Sequence, residues 1–382
     1  MDFPFEQGPI RPPSEAKSLL IRVTRNCPWN KCAFCNSYRG KKFELRSLDE
    51  IFAEIRQIKE IVTHITELSW KHGEAGRVTD KVIRIIFGNE SIYNEGYRSV
   101  VAWMYFGGES VFIQDANSLI MKTEDLAAVL TEIKKIFPSV TRITSYCRSK
   151  TAARKSVDEL KRLHDAGLSR IHIGMESGYD PVLAFIHKGV TAAEHIKGGR
   201  NVVEAGISLS EYVIPGLGGK QWTGEHARET ASVINQINPD YIRLRSLHVV
   251  PGTDLHEKML RGEFLPLSDN EVVTEIREFI KNLEGIESTV VSDHILNLLE
   301  EIQGKLPGAR EQMLSTIDRY LALPEQDQLI FRLGRRKGTY RSLDDLSDSE
   351  LYNSLKKTVE QCEQEEPGRL DKELFLMMHN YI

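Results

Sequence analysis

The amino-acid sequence predicts an α/β fold built around a largely parallel sheet. Short apolar segments typical of strands alternate with amphipathic helical segments over roughly the first 280 residues. The strand segments are mostly apolar along their length, as expected of parallel strands buried on both faces. Gly167 and Gly206 follow two predicted helices, where a left-handed residue ends a helix. Six such units joined by right-handed crossovers form either an open doubly wound sheet or an incomplete barrel, and periodicity does not choose between them.

The individual elements follow in a regular order. Ser47 is predicted to cap the first helix, with Asp49 and Glu50 in its first turn, and Thr123 is predicted to start the second. The six predicted strands span residues 18–25, 110–114, 140–147, 169–175, 208–214 and 241–247. The later predicted helices lie near residues 156–165, 191–204 and 224–237.

The pattern also predicts how the chain is divided. Residues 1–17 form a lead-in, residues 18–265 form the α/β domain, and residues 266–382 form an α-helical C-terminal region. Residues 66–106 interrupt the alternation and are predicted to be a helical insertion.

Composition limits the possible partners. The chain has 382 residues and a formal net charge of −5, which gives no general attraction to nucleic acid or to an anionic membrane. No apolar run of about 18 residues occurs, and the N-terminus does not resemble a signal peptide. We therefore expect a cytoplasmic protein without membrane contacts, for which nucleic acid is an unlikely partner.

Three of the five cysteines lie close together, directly after the first predicted strand. Cys27, Cys32 and Cys35 have the spacing C-x4-C-x2-C. Three thiolates on one short loop suit one face of a 4Fe–4S cluster and leave its fourth iron open to a ligand. A structural zinc ion is the alternative, but zinc prefers four ligands, and residues 20–63 contain no histidine. The spacing therefore favours an iron–sulfur site.

With these residues the chain resembles the radical S-adenosylmethionine (SAM) superfamily over about residues 10–300. The usual family spacing is C-x3-C-x2-C, so the loop here is one residue longer, while Phe34 matches the family's aromatic residue before the last cysteine. The segments at residues 11–16 and 25–30 resemble a subgroup from anaerobic bacteria and, more distantly, the oxygen-independent coproporphyrinogen oxidases.

The resemblance implies a fold and a chemistry. The fold would be a partial (β/α)6, TIM-like barrel, which selects the second of the two architectures. The open iron would bind the amino and carboxylate groups of SAM, and an electron from the cluster would release a 5′-deoxyadenosyl radical. That electron would come from a reductant such as flavodoxin or ferredoxin, and the radical would attack a substrate that the sequence does not identify.

The resemblance also implies which polar residues bind SAM. Gln114 ends the second strand, and Asp115 and Asn117 follow it, where backbone carbonyls and side-chain acceptors would receive the ammonium group. A turn that merely leads into the next helix is the alternative. Arg148, after the third strand, is a candidate partner for the SAM carboxylate.

Three further predicted contacts follow the fourth strand. Glu176 and Ser177 match the family's G-x-E-S-G motif, so Glu176 would bind the ribose or amino group unless it only caps the next helix. Lys188 falls where related proteins place a cation against the SAM carboxylate, although a solvated lysine would look the same.

The last two strand ends would contact the adenine. Ile214 and Gly216 lie in a glycine-rich stretch after the fifth strand, and Val250 follows the sixth. Asp293, His294 and Asn297 form a polar group in an apolar run. If that run is helical, Asp293 and Asn297 share one face, and His294 is a candidate acid or base; a local helix cap is the alternative.

Three functions remain to be compared. The favoured one is an enzyme that makes the 5′-deoxyadenosyl radical. A non-catalytic chaperone for haem or a metallocofactor would use the same fold and cluster. A simple electron carrier is disfavoured, because electron transfer does not require glycine and carboxylate motifs at four separate strand ends.

Overall fold

The structure of the chain is a computed structural model that describes residues 6–88, 95–366 and 368–378. The parts of the predicted lead-in, helical insertion and C-terminal region that fall on residues 1–5, 89–94, 367 and 379–382 lie outside the described residues. The strands are β1 (Leu19–Arg22), β2 (Thr24–Arg25), β3 (Glu44–Leu45), β4 (Ser110–Gln114), β5 (Arg142–Cys147), β6 (Leu168–Glu176), β7 (Ser208–Val213), β8 (Tyr241–Leu244), β9 (Thr289–Val291) and β10 (Gly304–Lys305).

The strands form a main sheet in which hydrogen-bonded neighbours follow the order β1-β4-β5-β6-β7-β8-β9-β10. Neighbouring strands are parallel from β1 to β6 and from β7 to β9, whereas β10 is antiparallel to β9. Strands β2 and β3 form a separate antiparallel pair. The α/β prediction is confirmed, and β1, β4, β5, β6, β7 and β8 have the strand order of a partial (β/α)6 barrel.

Helices connect and follow these strands. They are α1 (Leu48–Lys71), α2 (Asp80–Phe87), α3 (Glu95–Tyr105), α4 (Thr123–Ile136), α5 (Ser149–Arg154), α6 (Val157–Asp165), α7 (Asp180–Phe185), α8 (Ala192–Glu204), α9 (Gly219–Ile237), α10 (Asp254–Leu260), α11 (Asp269–Lys281), α12 (Arg310–Leu321), α13 (Glu325–Arg336), α14 (Ser349–Glu365) and α15 (Arg369–Met378). Within the described part of the chain, every helix is too short or too polar to cross a membrane.

Local sequence signals explain where several helices begin. The Ser47 side chain accepts from the Glu50 backbone N–H, and the Glu50 carboxylate accepts from the Ser47 backbone N–H, which completes a capping box at the start of α1. Thr123 is the first residue of α4, and Lys122 occupies the N-cap position. Helix α1 then buries an apolar stripe of isoleucines at helical spacing, namely Ile51, Ile55, Ile58, Ile61 and Ile65.

The C-terminal region is mostly helical, as predicted, and it also contains two strands that the sequence did not predict. Strand β9 extends the sheet beside β8, and β10 pairs with β9. The run that contains Asp293 and Asn297 is not helical, because residues 292–299 form a turn at residues 295–296 and no helix, so the shared helical face considered above does not exist. The Asn297 side chain accepts from the Ser246 backbone N–H at 2.9 Å and donates to the Leu244 carbonyl at 2.8 Å. These bonds hold the segment against the end of β8.

The chain divides into two compact units. The first comprises the described residues of Met1–Asn30, Ser37–Ile173 and Lys197–Leu209, and the second comprises those of Lys31–Asn36, Gly174–Ile196 and Ser210–Ile382. The domain boundaries predicted after residues 17 and 265 remain a prediction. The two units are described separately below.

Candidate active site

Cys27 lies in the first unit, immediately after β2. Asn26, which precedes the cysteine loop, and Asn30, which lies within it, both have left-handed backbone conformations, with φ angles of 68° and 48°. Asparagine tolerates this conformation better than most residues. The Asn30 backbone N–H is 3.4 Å from Cys27 Sγ, within hydrogen-bonding range for sulfur. A backbone donor thus lies beside the sulfur that the cysteine spacing predicts to bind the cluster.

Cys32 and Cys35 lie in the second unit on a segment fixed by Ala33. The Ala33 backbone N–H donates to the Ile186 carbonyl at 2.8 Å, and the Ala33 carbonyl accepts from the Leu255 N–H at 2.8 Å. The Ala33 side chain is buried in an apolar cluster with Val182, Ile186, Ile214, Leu217, Val249, Leu255 and Phe264. Packing and backbone bonds therefore fix the short stretch that carries both thiols.

The chemistry of these thiols fits an iron–sulfur cluster. Cys27, Cys32 and Cys35 form no disulfide bond and are half-buried. Among the described residues, no three histidine, cysteine or acidic side chains are grouped closely enough to hold a metal ion. The role of the three cysteines as ligands remains a prediction from their spacing.

Asp115, after β4, is fully buried and has a left-handed backbone conformation with φ at 76°. Its carboxylate accepts from Arg22 Nε at 2.6 Å, from the Tyr38 hydroxyl at 2.8 Å and from the Asn26 backbone N–H at 3.1 Å. Burial and the neighbouring Asp115 carboxylate raise the pKa of Tyr38, so its phenol stays protonated and donates. Asp115 thereby fixes the backbone just before Cys27.

The other two predicted side chains of this turn also bind protein groups. Gln114 accepts from the Gly8 backbone N–H at 2.7 Å and donates to the Gly8 and Ile10 carbonyls. Asn117 donates to Thr151 Oγ1 at 2.9 Å and accepts from the Arg148 backbone N–H at 3.0 Å. The side-chain acceptors that the sequence offers to an ammonium group thus already accept bonds from the protein, and their role towards SAM remains a prediction.

Arg148 is placed by a neighbouring aromatic ring. Its guanidinium lies 5.0 Å from the centre of the Trp29 ring, in a cation–π contact within the first unit. This contact places a cation near the ring two residues after Cys27. Its proposed role towards the SAM carboxylate remains a prediction.

Glu176 and Lys188, which the sequence singled out separately, form an ion pair in the second unit. Lys188 Nζ lies 2.8 Å from Glu176 Oε1, and the two side chains are only 11% and 13% exposed. Glu176 ends β6 with a left-handed backbone, φ 66°, which turns its carboxylate out of the strand's regular alternation. A pair this well buried and this short holds each charge in one place. Lys188 is therefore not a solvated surface lysine.

Ser177 and Gly178 fix the turn that follows. The buried Ser177 Oγ accepts from the Tyr179 backbone N–H at 3.1 Å, and the Gly178 N–H donates to Thr230 Oγ1 at 2.9 Å. A Cβ on Gly178 would lie 2.7 Å from the Glu229 carbonyl oxygen of α9. The glycine of the G-x-E-S-G motif is required here because a helix passes directly beside it.

Glu211 on β7 is a candidate site residue that the sequence analysis missed. It is fully buried, and neither carboxylate oxygen has a hydrogen-bond partner among the described residues. Burial, and secondarily the negative charge of Glu176, raise its pKa well above the usual range, while the charge of Lys188 opposes the shift. The signal was available in the alternation of β7, because Glu211 shares one face with the apolar Leu209 and Val213. We call Glu176, Lys188 and Glu211 the acid–lysine cluster.

The cluster gives a reason for Gly174. A Cβ at this position would collide with Glu176 Oε1 and would lie 3.3 Å from Lys188 Nζ. Because the obstructing atoms are the ends of side chains, the Gly174→Ala protein should fold with a loss of about 1–2 kcal/mol. Its ion pair should be displaced, and the SAM cleavage that the resemblance implies should fall by about tenfold or more.

Gly178→Ala is the matched comparison for that prediction. Its new Cβ meets the backbone of α9, which cannot move aside, so the expected loss is in thermal stability. Thermal unfolding and 5′-deoxyadenosine release should be measured for both variants. Full activity in a folded Gly174→Ala protein would mean that the ion pair does not contribute to the reaction.

Residues 214–219, which we call the Gly216 loop, join the cluster to the end of β7. The Ile214 backbone N–H donates to the Glu176 carbonyl at 3.0 Å, and Gly216 has a left-handed φ of 89°. Ile214 and Leu217 face the apolar cluster around Ala33. The loop is therefore buried and combines a left-handed glycine with an apolar support.

Val250 is held by a side chain of the following helix. Its carbonyl accepts from Thr253 Oγ1 at 2.7 Å, and Thr253 also caps α10. The neighbouring Leu247 N–H donates to the Pro215 carbonyl at 2.8 Å, which ties this segment to the Gly216 loop. The two segments predicted to contact adenine are thus adjacent in the second unit.

Asp293, His294 and Asn297, the polar residues of the apolar run, have different surroundings. Asp293 Oδ2 lies 3.2 Å from Arg243 Nη1, and Asn297 has the structural role described above. Burial, and secondarily the charge of Arg245, lower the pKa of His294 to about 4. His294 is therefore neutral near pH 7, which suits a base better than an acid.

Comparisons with known proteins agree with the resemblance drawn from the sequence. No protein-family model matches the chain. The tRNA uridine(34) acetyltransferase of Methanocaldococcus jannaschii is 21% identical over 299 residues, which cover 73% of this chain and 51% of that protein. The enzyme of the same name from Methanocaldococcus infernus is 23% identical over 298 residues, covering 73% and 52%. The chain spans about half the length of these curated relatives.

Several solved structures are similar to the chain as well. Coproporphyrinogen III oxidase of Escherichia coli, described as a radical SAM enzyme, is 11% identical with a TM-score of 0.46, covering 96% of this chain and 90% of that chain. Methylornithine synthase is 13% identical with a TM-score of 0.42, covering 74% and 68%. Because both TM-scores lie below 0.5, these likenesses do not extend to the details of the site.

The C-x4-C-x2-C motif and the parallel strand order of the chain are those that the resemblance to radical SAM enzymes implies. The cofactors of this class are a 4Fe–4S cluster and S-adenosylmethionine.

Proposed function

We propose that this protein cleaves SAM reductively and uses the product radical to abstract hydrogen from a substrate. When bound, a 4Fe–4S cluster supplies the electron that breaks the sulfonium C–S bond, giving methionine and a 5′-deoxyadenosyl radical. Cys27, Cys32 and Cys35 would hold that cluster. A cytoplasmic flavodoxin or ferredoxin is the proposed source of the electron.

The acid–lysine cluster is the observation that carries the proposal. Glu176 and Lys188 place one negative and one positive charge next to each other at the end of β6. The two carboxylate oxygens of Glu211 are buried without hydrogen-bond partners among the described residues. Because an unpaired buried carboxyl destabilises the fold, a bound ligand that donates hydrogen bonds to it would remove that cost. Ribose hydroxyl groups are suitable donors to Glu211. The ammonium group of the methionine moiety can pair with Glu176, and its carboxylate can pair with Lys188.

The Gly216 loop supplies the complementary apolar surface. It lies directly after β7 and is bonded to the Glu176 carbonyl, so it begins where the acid–lysine cluster ends. A ribose bound at Glu211 would bring an attached adenine towards Ile214 and the backbone of Gly216. A simple electron carrier requires neither the acid–lysine cluster nor the Gly216 loop. The order of these contacts therefore supports a nucleoside-sized ligand.

The reaction is tested on anaerobic protein reconstituted with iron and sulfide. Dithionite and SAM should yield 5′-deoxyadenosine and methionine in equal amounts, and Cys362→Ala should behave as the wild type. SAM that stays intact over many hours in cluster-loaded protein would overturn the proposal and favour a non-catalytic chaperone on the same fold.

The substrate is tested separately. The names of the curated relatives make transfer RNA the first candidate, although the chain spans about half their length and carries a net charge of −5. Added transfer RNA should accelerate 5′-deoxyadenosine release if it is the hydrogen donor. An unchanged rate would exclude it and direct the search to small molecules.

A further inference from the structure

Helix α11 supplies a buried carboxylate, that of Glu275, to the Gly216 loop. Glu275 Oε1 accepts the Gly216 backbone N–H at 2.7 Å. Its other oxygen, Oε2, accepts the Thr223 hydroxyl of α9 at 2.6 Å. His226 Nδ1, also on α9, lies 3.0 Å from Glu275 Oε1 and donates to it when the carboxylate is ionised. One side chain thus joins α11, α9 and the loop.

The burial of Glu275 makes these contacts specific. The side chains of Glu275 and His226 are only 2% and 1% exposed, and no Lys or Arg in the described residues forms an ion pair with Glu275. A buried carboxylate is costly unless donors surround it, and here a backbone N–H, a hydroxyl and an imidazole do so. Apolar packing between α9 and α11 would not require a carboxylate. The carboxylate of Glu275 is therefore explained by the backbone N–H of Gly216 that it binds.

The Gly216 loop needs such support. Gly216 has φ at 89° and Gly219 has φ at 56°, so two residues of the loop have left-handed backbones. Gly216 is followed by buried turns in which the Leu217 N–H donates to the Ile214 carbonyl and the Gly219 N–H donates to the Gly216 carbonyl. These short-range bonds shape the loop, whose last residue begins α9, but none of them connects it to α11. Glu275 makes that connection at Gly216.

We propose that Glu275 is a positioning residue that holds the Gly216 loop in the conformation that accepts the adenosine part of SAM. The ligand in this statement rests on the proposed function, whereas the bracing of the loop does not. The inference gives a role to the first helix of the C-terminal region, for which the sequence offered none. It assigns no chemistry to Glu275, because the carboxylate is already bound by protein donors.

The bracing is tested by amide hydrogen exchange in the full-length, cofactor-free protein. Glu275→Leu keeps most of the side-chain volume but removes the acceptor, so exchange of the peptide containing Gly216 should rise about 10- to 100-fold. Glu275→Gln keeps a carbonyl acceptor and should restore most of the protection. Glu278→Leu, on the same helix, is the matched control, because Glu278 bonds only to Asn282 of its own turn among the contacts described.

Glu275→Asp guards against a Glu275→Leu protein that fails to fold. The shorter side chain keeps the charge but withdraws the carboxylate from Gly216, so the loop should again exchange faster. Unchanged exchange of the Gly216 peptide in every folded variant would overturn the bracing.

The ligand part is tested by SAM binding to cluster-loaded protein in equilibrium dialysis. Glu275→Leu or Glu275→Asp should weaken binding about tenfold, and Glu275→Gln should weaken it less. Equal affinities in proteins whose loops exchange faster would overturn the positioning role. A wild type that exchanges slowly but neither binds nor cleaves SAM would instead overturn the proposed function and leave the bracing intact.

Discussion

Cys32→Ala is expected to lose most of the roughly four iron atoms per chain that anaerobic reconstitution should give the wild type. Three thiolates can hold one face of the cluster, but two cannot replace the missing bond, because no histidine occurs between residues 20 and 63. Ala33 is held by its own backbone bonds to Ile186 and Leu255, so the loop should keep its place without the thiol. Iron and sulfide analysis and the visible absorbance measure the effect.

Cys362→Ala is the matched control for that prediction. Cys362 is also half-buried and reduced, but it lies in α14, where its Sγ is 3.8 Å from Glu373 Oε2. Its removal should leave the iron content unchanged. Full iron in Cys32→Ala, or a wild type that contains stoichiometric zinc and almost no iron, would contradict the ligand assignment and the proposed reaction together.

Strands and helix starts were predictable where the signal is local. Residues 110–114 were predicted as a strand and form β4 with the same bounds, because a short run with three consecutive apolar residues lies between Gly108 and a polar turn. The capping box of α1 needs only Ser47 and Glu50, three residues apart. By contrast, β9 and β10 have three and two residues, which is too few for any periodic pattern.

The contacts of the site were not predictable from local signals. The donors to Asp115 come from Arg22, Asn26 and Tyr38, which are 77 to 93 residues away in sequence. No spacing rule connects them. The three cysteines, in contrast, lie within one loop. Their spacing alone therefore predicts that they bind a cluster, without knowledge of the tertiary contacts around them. Side chains that depend on tertiary contacts become evident only once the sheet order is known.

Glu211→Leu is expected to make the cofactor-free protein more stable while it makes the enzyme less active. A buried carboxyl without hydrogen-bond partners destabilises the fold, and an apolar side chain of similar size removes that cost, so unfolding should require about 1–3 kcal/mol more. SAM cleavage should fall about 10- to 100-fold, since the proposed contact to the ribose hydroxyls is lost. Stability gained where activity is lost is typical of a group kept for function.

The stability gain should depend on pH, and its sign follows from the raised pKa of Glu211. Above the unfolded value near 4.5, the unfolded chain releases the Glu211 proton while the folded chain retains it. The wild type therefore loses stability as pH rises, by at most about 1.4 kcal/mol per pH unit, until the folded carboxyl also ionises. Glu211→Leu lacks this loss, so its advantage should be larger at pH 8 than at pH 5.

Glu211→Gln separates charge from shape. It cannot titrate, so it should share the pH-independent behaviour of Glu211→Leu, but its amide can still bond to a hydroxyl and should retain part of the activity. Chemical denaturation at several pH values, together with 5′-deoxyadenosine release, measures both effects. A Glu211→Leu protein that is less stable than the wild type, or fully active, would mean that this buried carboxyl serves the fold and not a ligand.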